Sequence, residues 1–260
     1  MKEKLKGAIL IISCHKHKET RLKKYMLPKQ YYQGYKVFYV IGNPNIKSIY
    51  ELRDENFITL KCEDSYLHIL KKVVLAINVI TNLYEIEEGF LRCGDDLIFY
   101  EENLCRFLMS PKLNDYMGYI DGHKTGNEII PFENITSRLD SFMSDYFETH
   151  QEDLLNPLNG LENYMDIIPT LNIVPNCRYI NGVTTWLSMK SCNILINTVL
   201  DPQWDTFQYI NEYGFPYIIE DVGIGFILAK HGIYPVGRKY YTIDFSNSDE
   251  TFAFHTNEFK

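Results

Sequence analysis

Two adjacent acids, Asp95 and Asp96, follow a short apolar run and a small-residue break in Glu88-Gly-Phe-Leu-Arg-Cys-Gly-Asp-Asp-Leu-Ile-Phe-Tyr100. An apolar strand that ends in a carboxylate pair delivers hard oxygen ligands at its edge. Mg²⁺ or Mn²⁺ held by one or two carboxylates plus phosphate oxygens needs that arrangement. Gly-Asp-Asp between two strands also reads as a hairpin turn. A second acidic pair, Glu220-Asp221, stands before an apolar helical stretch, where a carboxylate suits the positive end of the helix dipole.

The elements that must hold these groups are legible as alternating apolar runs. Gly7–Cys14 and Tyr35–Gly42 are short, continuous and rich in β-branched residues, so buried parallel strands are expected. Phe57–Cys62 and Gly89–Cys93 are expected as further strands, with a helical turn at Ile49–Leu52. Asp64-Ser65 reads as an N-cap, and the helix it opens would run from Tyr66 to Leu83. His15–Leu27 is charged and helix-permissive. Downstream, Glu101–Leu108 reads as a short helix, Tyr116–Asp121 as a strand, Leu139–His150 as a helix, and Leu187–Ile196 as a helix start. The order predicts a parallel α/β sheet, in which ligands gather at the carboxyl ends of the strands. Ser13-Cys14, Gly42, Cys62–Asp64 and Asp95-Asp96 all stand at such ends.

The totals bound the rest. The chain has 260 residues, 45% hydrophobic and 23% charged, which is the composition of a globular protein with room for a core. A net charge of −8 disfavours a general nucleic-acid binder, although His15–Lys24 is locally basic. The 20 Tyr and 15 Phe suit sugar binding, and AT-rich codon usage accounts for them equally well. None of the six cysteines forms a Cys-x-x-Cys pair, so free thiols in a reducing compartment are expected. The apolar run Ala8–Cys14 is too short for a signal peptide, and no segment reads as a membrane span.

Several segments in order resemble one family, the inverting β-1,3-glycosyltransferases that include galactosyl-, N-acetylglucosaminyl- and Fringe-type enzymes. Ile11-Ile-Ser13 with Arg21 is similar to the family's first strand and Arg-containing helix, and Val40-Ile-Gly42 to its second strand end. Asp64-Ser-Tyr-Leu-His-Ile-Leu-Lys-Lys72 resembles its Asp-Ser-Tyr block. Arg92-Cys-Gly-Asp-Asp96 resembles its metal motif, with Gly94 in place of the first acid. Glu220-Asp-Val222 looks like its late acidic helix start, and His255 like its late histidine. The resemblance implies a GT-A fold: a single α/β domain over 1–260, Rossmann-like, with a mostly parallel central sheet flanked by helices. Residues 1–100 would bind the nucleotide sugar and residues 101–260 the acceptor. It also implies a UDP-sugar donor, Mn²⁺ or Mg²⁺, and a glycan or glycoprotein acceptor. No segment is expected to serve as the family's usual membrane anchor. An unanchored, AT-rich form suggests a viral, protist or bacterial source and a soluble enzyme, cytoplasmic or associated with a viral factory or virion.

In that reading Asp96 and His255 are the metal ligands, and Asp221 is the catalytic base, with Glu220 its rival. Ser13, Arg21, Asp64, Lys72 and Asp95 are donor-site residues. Each has a bland alternative: Asp64 and Asp221 as capping acids, Arg21 and Lys72 as solvated charges, His255 as a tail residue. Trp186 reads either as a stacking partner for the acceptor sugar or as core. Two other functions stay open: a nucleotide-sugar or glycan-binding protein that has lost catalysis, motivated by Gly94, and a metal-dependent phosphoesterase.

Overall fold

In the computed structural model, residues 2–121, 179–206, 216–243 and 251–256 are described, with the isolated positions 144, 148, 171, 172, 209 and 210. The expected helix at Leu139–His150 lies outside them, apart from positions 144 and 148, which are helical. Strand β1 (Glu3–Ile12) leads through helical turns at His15–His17 and Lys18–Leu22 into α1 (Lys23–Tyr25). Then come β2 (Tyr31–Tyr32), β3 (Tyr35–Gly42), β4 (Tyr50–Arg53) and β5 (Phe57–Leu60). A 3-10 turn at Tyr66–His68 opens α2 (Ile69–Leu83), followed by β6 (Tyr84–Gly94), β7 (Leu97–Phe99), α3 (Glu101–Met109) and β8 (Tyr116–Asp121). The later elements are β9 (Leu171–Asn172), β10 (Tyr179–Ser188), α4 (Met189–Val199), β11 (Tyr209–Ile210) and α5 (Glu220–Lys230). Short strands β12 (Val236–Gly237), β13 (Tyr241–Thr242) and β14 (Ala253–His255) close the described chain.

The central sheet runs β12-β8-β10-β6-β1-β3-β5-β4, with β2 on β3. Strands β5, β3, β1 and β6 are parallel neighbours, as their continuous apolar runs require: all eight residues of β3 are buried. The protein is therefore a mixed α/β protein with helices on both faces. On one face α2, α4 and α5 bury Val73, Ile77, Leu195, Ile224 and Phe226 against Leu10, Phe38 and Phe90. On the other, α3 and the chain's end bury Leu104, Leu108 and Phe252 against Ile9, Leu91 and Trp186. Helix α2, with the turn before it, is long and apolar enough to cross a membrane, and here it is the core helix of the first face. Each buried Val or Ile of that helix contributes about 1.5–3 kcal/mol through the apolar area it removes from water.

Three expectations change. Ile49–Leu52 is not a helical turn, since β4 pairs antiparallel with β5 at the sheet's edge. The stretch after Cys177, read without an element, contains β10, which inserts antiparallel between β6 and β8 and makes the sheet mixed. Its signal is weak because Asn181, Gly182, Thr184 and Thr185 interrupt the apolar run. The helix after it starts at Met189, where Ser188 Oγ caps the Ser191 amide at 3.2 Å.

The strand order positions the site. The chain lays β3 and then β5 on one side of β1, and α2 carries it back to place β6 on the other. The carboxyl ends of β1 and β6 therefore flank a topological switch point, the place where open α/β sheets form a ligand crevice.

Candidate functional site

Asp95 and Asp96 fill the turn between β6 and β7, at that switch point. The Ser13 hydroxyl, just past β1, donates to Asp95 Oδ2 at 2.6 Å. Arg21 Nη1 stands 3.7 Å from both Asp95 Oδ1 and Asp96 Oδ2. His255 arrives by strand pairing. β14 runs antiparallel to β7 with His255 opposite Leu97, and the Thr256 amide donates to the Asp96 carbonyl at 3.1 Å. That register sets His255 Nε2 3.1 Å from Asp96 Oδ2. Gly94 completes the arrangement, since a Cβ there would lie 2.9 Å from Asp96 Oδ1. The missing side chain is the space that the Asp96 carboxylate uses.

The two acids are driven apart electrostatically. Burial pushes the Asp95 carboxyl above its ordinary range, against the Ser13 hydrogen bond, and the charge of Asp96 adds to the rise. Burial also pushes on Asp96, but the hydrogen bond and charge of His255, then Arg21, outweigh it and hold the carboxyl low. His17 belongs to the same field, and burial followed by the Arg21 charge holds its imidazole below the ordinary range. Asp96 thus stays ionised beside the His255 imidazole. A carboxylate oxygen and an imidazole nitrogen in contact are a donor pair that fits Mn²⁺ better than the harder Mg²⁺, which would take the carboxylate alone and complete its shell with phosphate and water. Among the described residues there is no group of three or more His, Cys, Asp or Glu able to hold a metal. Such an ion would depend on a bound phosphate for the rest of its shell.

Asp64 and Lys72 are placed differently from the expectation that both contact the donor. Both are buried. Lys72 Nζ donates to Asp64 Oδ1 at 2.6 Å and to the Ser13 carbonyl at 3.1 Å. Asp64 also accepts from the Gly42 amide at 2.6 Å and the His15 amide at 2.7 Å, and it contacts His15 Nδ1 at 3.1 Å. With both oxygens engaged, Asp64 is neither a helix cap nor open to a ligand. It ties the ends of β1 and β3 to α2. Burial raises the Asp64 carboxyl, but the bonds from His15 and Lys72 outweigh it and hold it below the ordinary range. Beyond this knot a cavity of about 380 Å³ opens, lined by His15, Lys18, Asn43, Lys47, Arg53 and Thr59.

The second acidic pair lies against β10, the sheet neighbour of β6. Asp221, in the first turn of α5, accepts from the Gly182 amide at 3.0 Å and the Val222 amide at 2.8 Å. The neighbouring Val183 carbonyl lies 4.0 Å from a Cβ placed at Gly94. Two residues of β10 therefore separate the Asp95-Asp96 turn from Asp221. Burial pushes the Asp221 carboxyl up, opposed by these amides and by Arg92. Glu220, its rival for the role of base, is buried beside Arg92. A carboxylate enclosed in that way cannot meet a substrate hydroxyl, so Asp221 is the accessible acid of the pair. The phenol of Tyr66 lies in the field of the same group, raised by burial and then by Asp221 and Glu220.

The fold thus gathers Ser13, Arg21, Asp95, Asp96 and His255 into one cluster, with Asp221 against β10 and with Asp64 and Lys72 behind it. Trp186 is core, fully buried beside Tyr35 and Phe107, with no exposed ring face for a sugar. His15, His17 and the partnership of Arg92 with Glu220 were not found from sequence. Only the position of the two histidines just past a strand end could have marked them. Fold and site together define a mixed α/β protein with an acidic cluster and a flanking carboxylate at the carboxyl edge of its sheet. No family model matches the chain, and no curated protein matches it.

Proposed function

We propose that this protein is a metal-dependent inverting glycosyltransferase of the GT-A fold, moving a sugar from a UDP-sugar to a hydroxyl of a glycan or glycoprotein. The observation that carries the reading is the pairing of β14 with β7, which brings His255 onto Asp96 beside Asp95 and Arg21. The mixed sheet with its switch-point crevice is compatible with the GT-A fold. The cavity beyond Asp64 has the size of a nucleoside site. Asp96 and His255 would hold Mn²⁺, or Asp96 alone Mg²⁺, and either ion when bound neutralises charge on the leaving diphosphate. Arg21 offers a guanidinium to the phosphates. Asp95, fixed by Ser13, faces the donor. Asp221 takes the proton of the acceptor hydroxyl as that oxygen attacks the anomeric carbon from the side opposite the leaving group. A single displacement assisted by a base inverts the configuration.

The test is titration calorimetry of UDP with and without Mn²⁺, followed by a screen of UDP-sugars for hydrolysis and transfer. Binding that needs Mn²⁺ and turnover on at least one donor are expected. Asp96→Ala and Asp221→Ala should each abolish transfer, and only the first should weaken binding. Failure of UDP to bind in the presence of Mn²⁺ would sink the reading. Binding without turnover on any donor would favour the protein that has lost catalysis, the possibility Gly94 raises. Release of inorganic phosphate without sugar transfer would favour a phosphoesterase.

A further inference from the structure

We infer that Arg92 and Glu220 are a buried positioning pair that locks the base Asp221 to the strand carrying Asp95 and Asp96. The inference rests on the transferase reading and assigns a role to two residues that touch neither donor nor acceptor. Arg92 Nε stands 3.0 Å from Glu220 Oε1, and both side chains are 6% exposed. Arg92 lies two residues before Gly94 on β6, where its backbone is paired with Leu10 of β1 and with Thr185 of β10. It is therefore fixed by ladders on both sides. Glu220 immediately precedes Asp221 in the first turn of α5. A Cβ at Gly182 would lie 2.9 Å from Glu220 Oε2, and the Gly182 amide holds Asp221. Both acids are thus seated on one glycine of β10, and a side chain there would displace the Glu220 carboxylate.

The energetics favour positioning over stability. Burying two charges carries a desolvation cost that their attraction scarcely returns, and well-packed apolar residues would fasten the helix at least as firmly. Nε and Oε1 meet as an ion pair without hydrogen-bond geometry, so it is the attraction of two buried charges that joins β6 to the start of α5, where Asp221 is carried. A base misplaced by about an ångström loses much of its effect. The charged and titratable groups facing Glu220 are Arg92 from β6, Asp221 from its own helix and Tyr66 from the turn before α2. Burial pushes the Glu220 carboxyl up to about 7, with the charge of Arg92 pulling it down and that of Asp221 adding to the rise.

The experiment compares wild type, R92M, R92K, E220Q and D221A for kcat, donor KM, Mn²⁺-dependent UDP affinity and the pH profile of kcat. R92M is expected to lower kcat roughly ten- to a hundredfold. UDP affinity should stay within about twofold. The acidic limb of kcat should move to higher pH, because the cation that lowers Asp221 is gone. R92K should recover most of kcat and the position of the limb. R92M with kcat within about twofold of wild type, or with an equal loss of UDP affinity, would overturn the inference. If R92M does not fold, E220Q carries the same expectation for kcat and affinity. Loss of fold in both would mark a purely structural pair and overturn it as well. Turnover retained by D221A sinks the assignment of the base. An inactive D221A beside an unimpaired R92M sinks this inference alone.

Discussion

At the scale of single residues, Gly94 reverses an expectation. It stands where the resembling family carries an acid, and its lack of a side chain looked like a lost contact. Yet Asp96 Oδ1 sits where a Cβ at Gly94 would meet it, at 2.9 Å. Restoring the acid is therefore expected to harm the site. Gly94→Asp and Gly94→Ala should displace Asp96 from His255 and weaken Mn²⁺-dependent UDP binding by roughly tenfold, as disturbed supports of metal ligands do. Calorimetry checks this, and tighter binding by Gly94→Asp would refute it. Asp221 makes a second prediction. Its carboxyl is raised by burial above its ordinary 3.8. A base works only when deprotonated, so kcat should fall as pH drops through that raised value. The limb should be absent from any residual activity of Asp221→Ala.

At the scale of elements, β14 and α2 each support the cluster from outside it. Phe252, just before β14, packs against Phe107 and Tyr240 with ring centroids 5.1 and 5.2 Å away. Phe252→Ala should cost about 3–5 kcal/mol in urea unfolding. It should also weaken Mn²⁺-dependent UDP binding, because His255 is carried by the same strand. Undiminished binding in that variant would show that His255 is not held through β14. In α2, Lys72→Met leaves Asp64 buried without its ammonium, a loss of about 3–5 kcal/mol. The pH dependence follows from the sign of the Asp64 shift. Its folded carboxyl lies below the ordinary 3.8, so its contribution is complete above that value and is lost as pH falls through the lower one. Asp64→Asn should remove that part of the acid dependence.

At the scale of the whole molecule, one mixed sheet with a core on each face brings its chemistry to one edge. The protein carries a net charge of −8, yet the segment after β1 is basic, with Lys16, Lys18, Arg21, Lys23 and Lys24 against Glu19. This places positive potential beside a crevice proposed to take an anionic donor. With Asp96 and His255 as its protein donors among the described residues, the cation and the nucleotide should depend on each other. UDP and Mn²⁺ together should raise the melting temperature by more than the sum of their separate effects. The joint stabilisation should approach about 2.7 kcal/mol at a hundredfold excess over Kd. Additive shifts would argue against a shared site.

Much of this architecture was readable from local pattern. The apolar runs of β1, β3, β5 and β6, the helix α2, strand β8 and the acidic start of α5 all emerge from composition and spacing over a few residues. Strand β4 was misread and β10 went unassigned, because an edge strand and a polar-interrupted central strand are stabilised by their partners rather than by their own sequences. The side chains available for chemistry were likewise legible, and the acid turn could be placed at the edge of a sheet. Their partners were not. His255 and Asp96 are 159 positions apart and meet only through the register of β14 on β7. Lys72 and Asp64 looked like ligand contacts until the packing of α2 sealed them together. The sequence by itself determined which groups exist and which elements carry them. The tertiary structure decided which groups meet, which are buried and which acid remains accessible, because those depend on pairings between segments far apart in the chain.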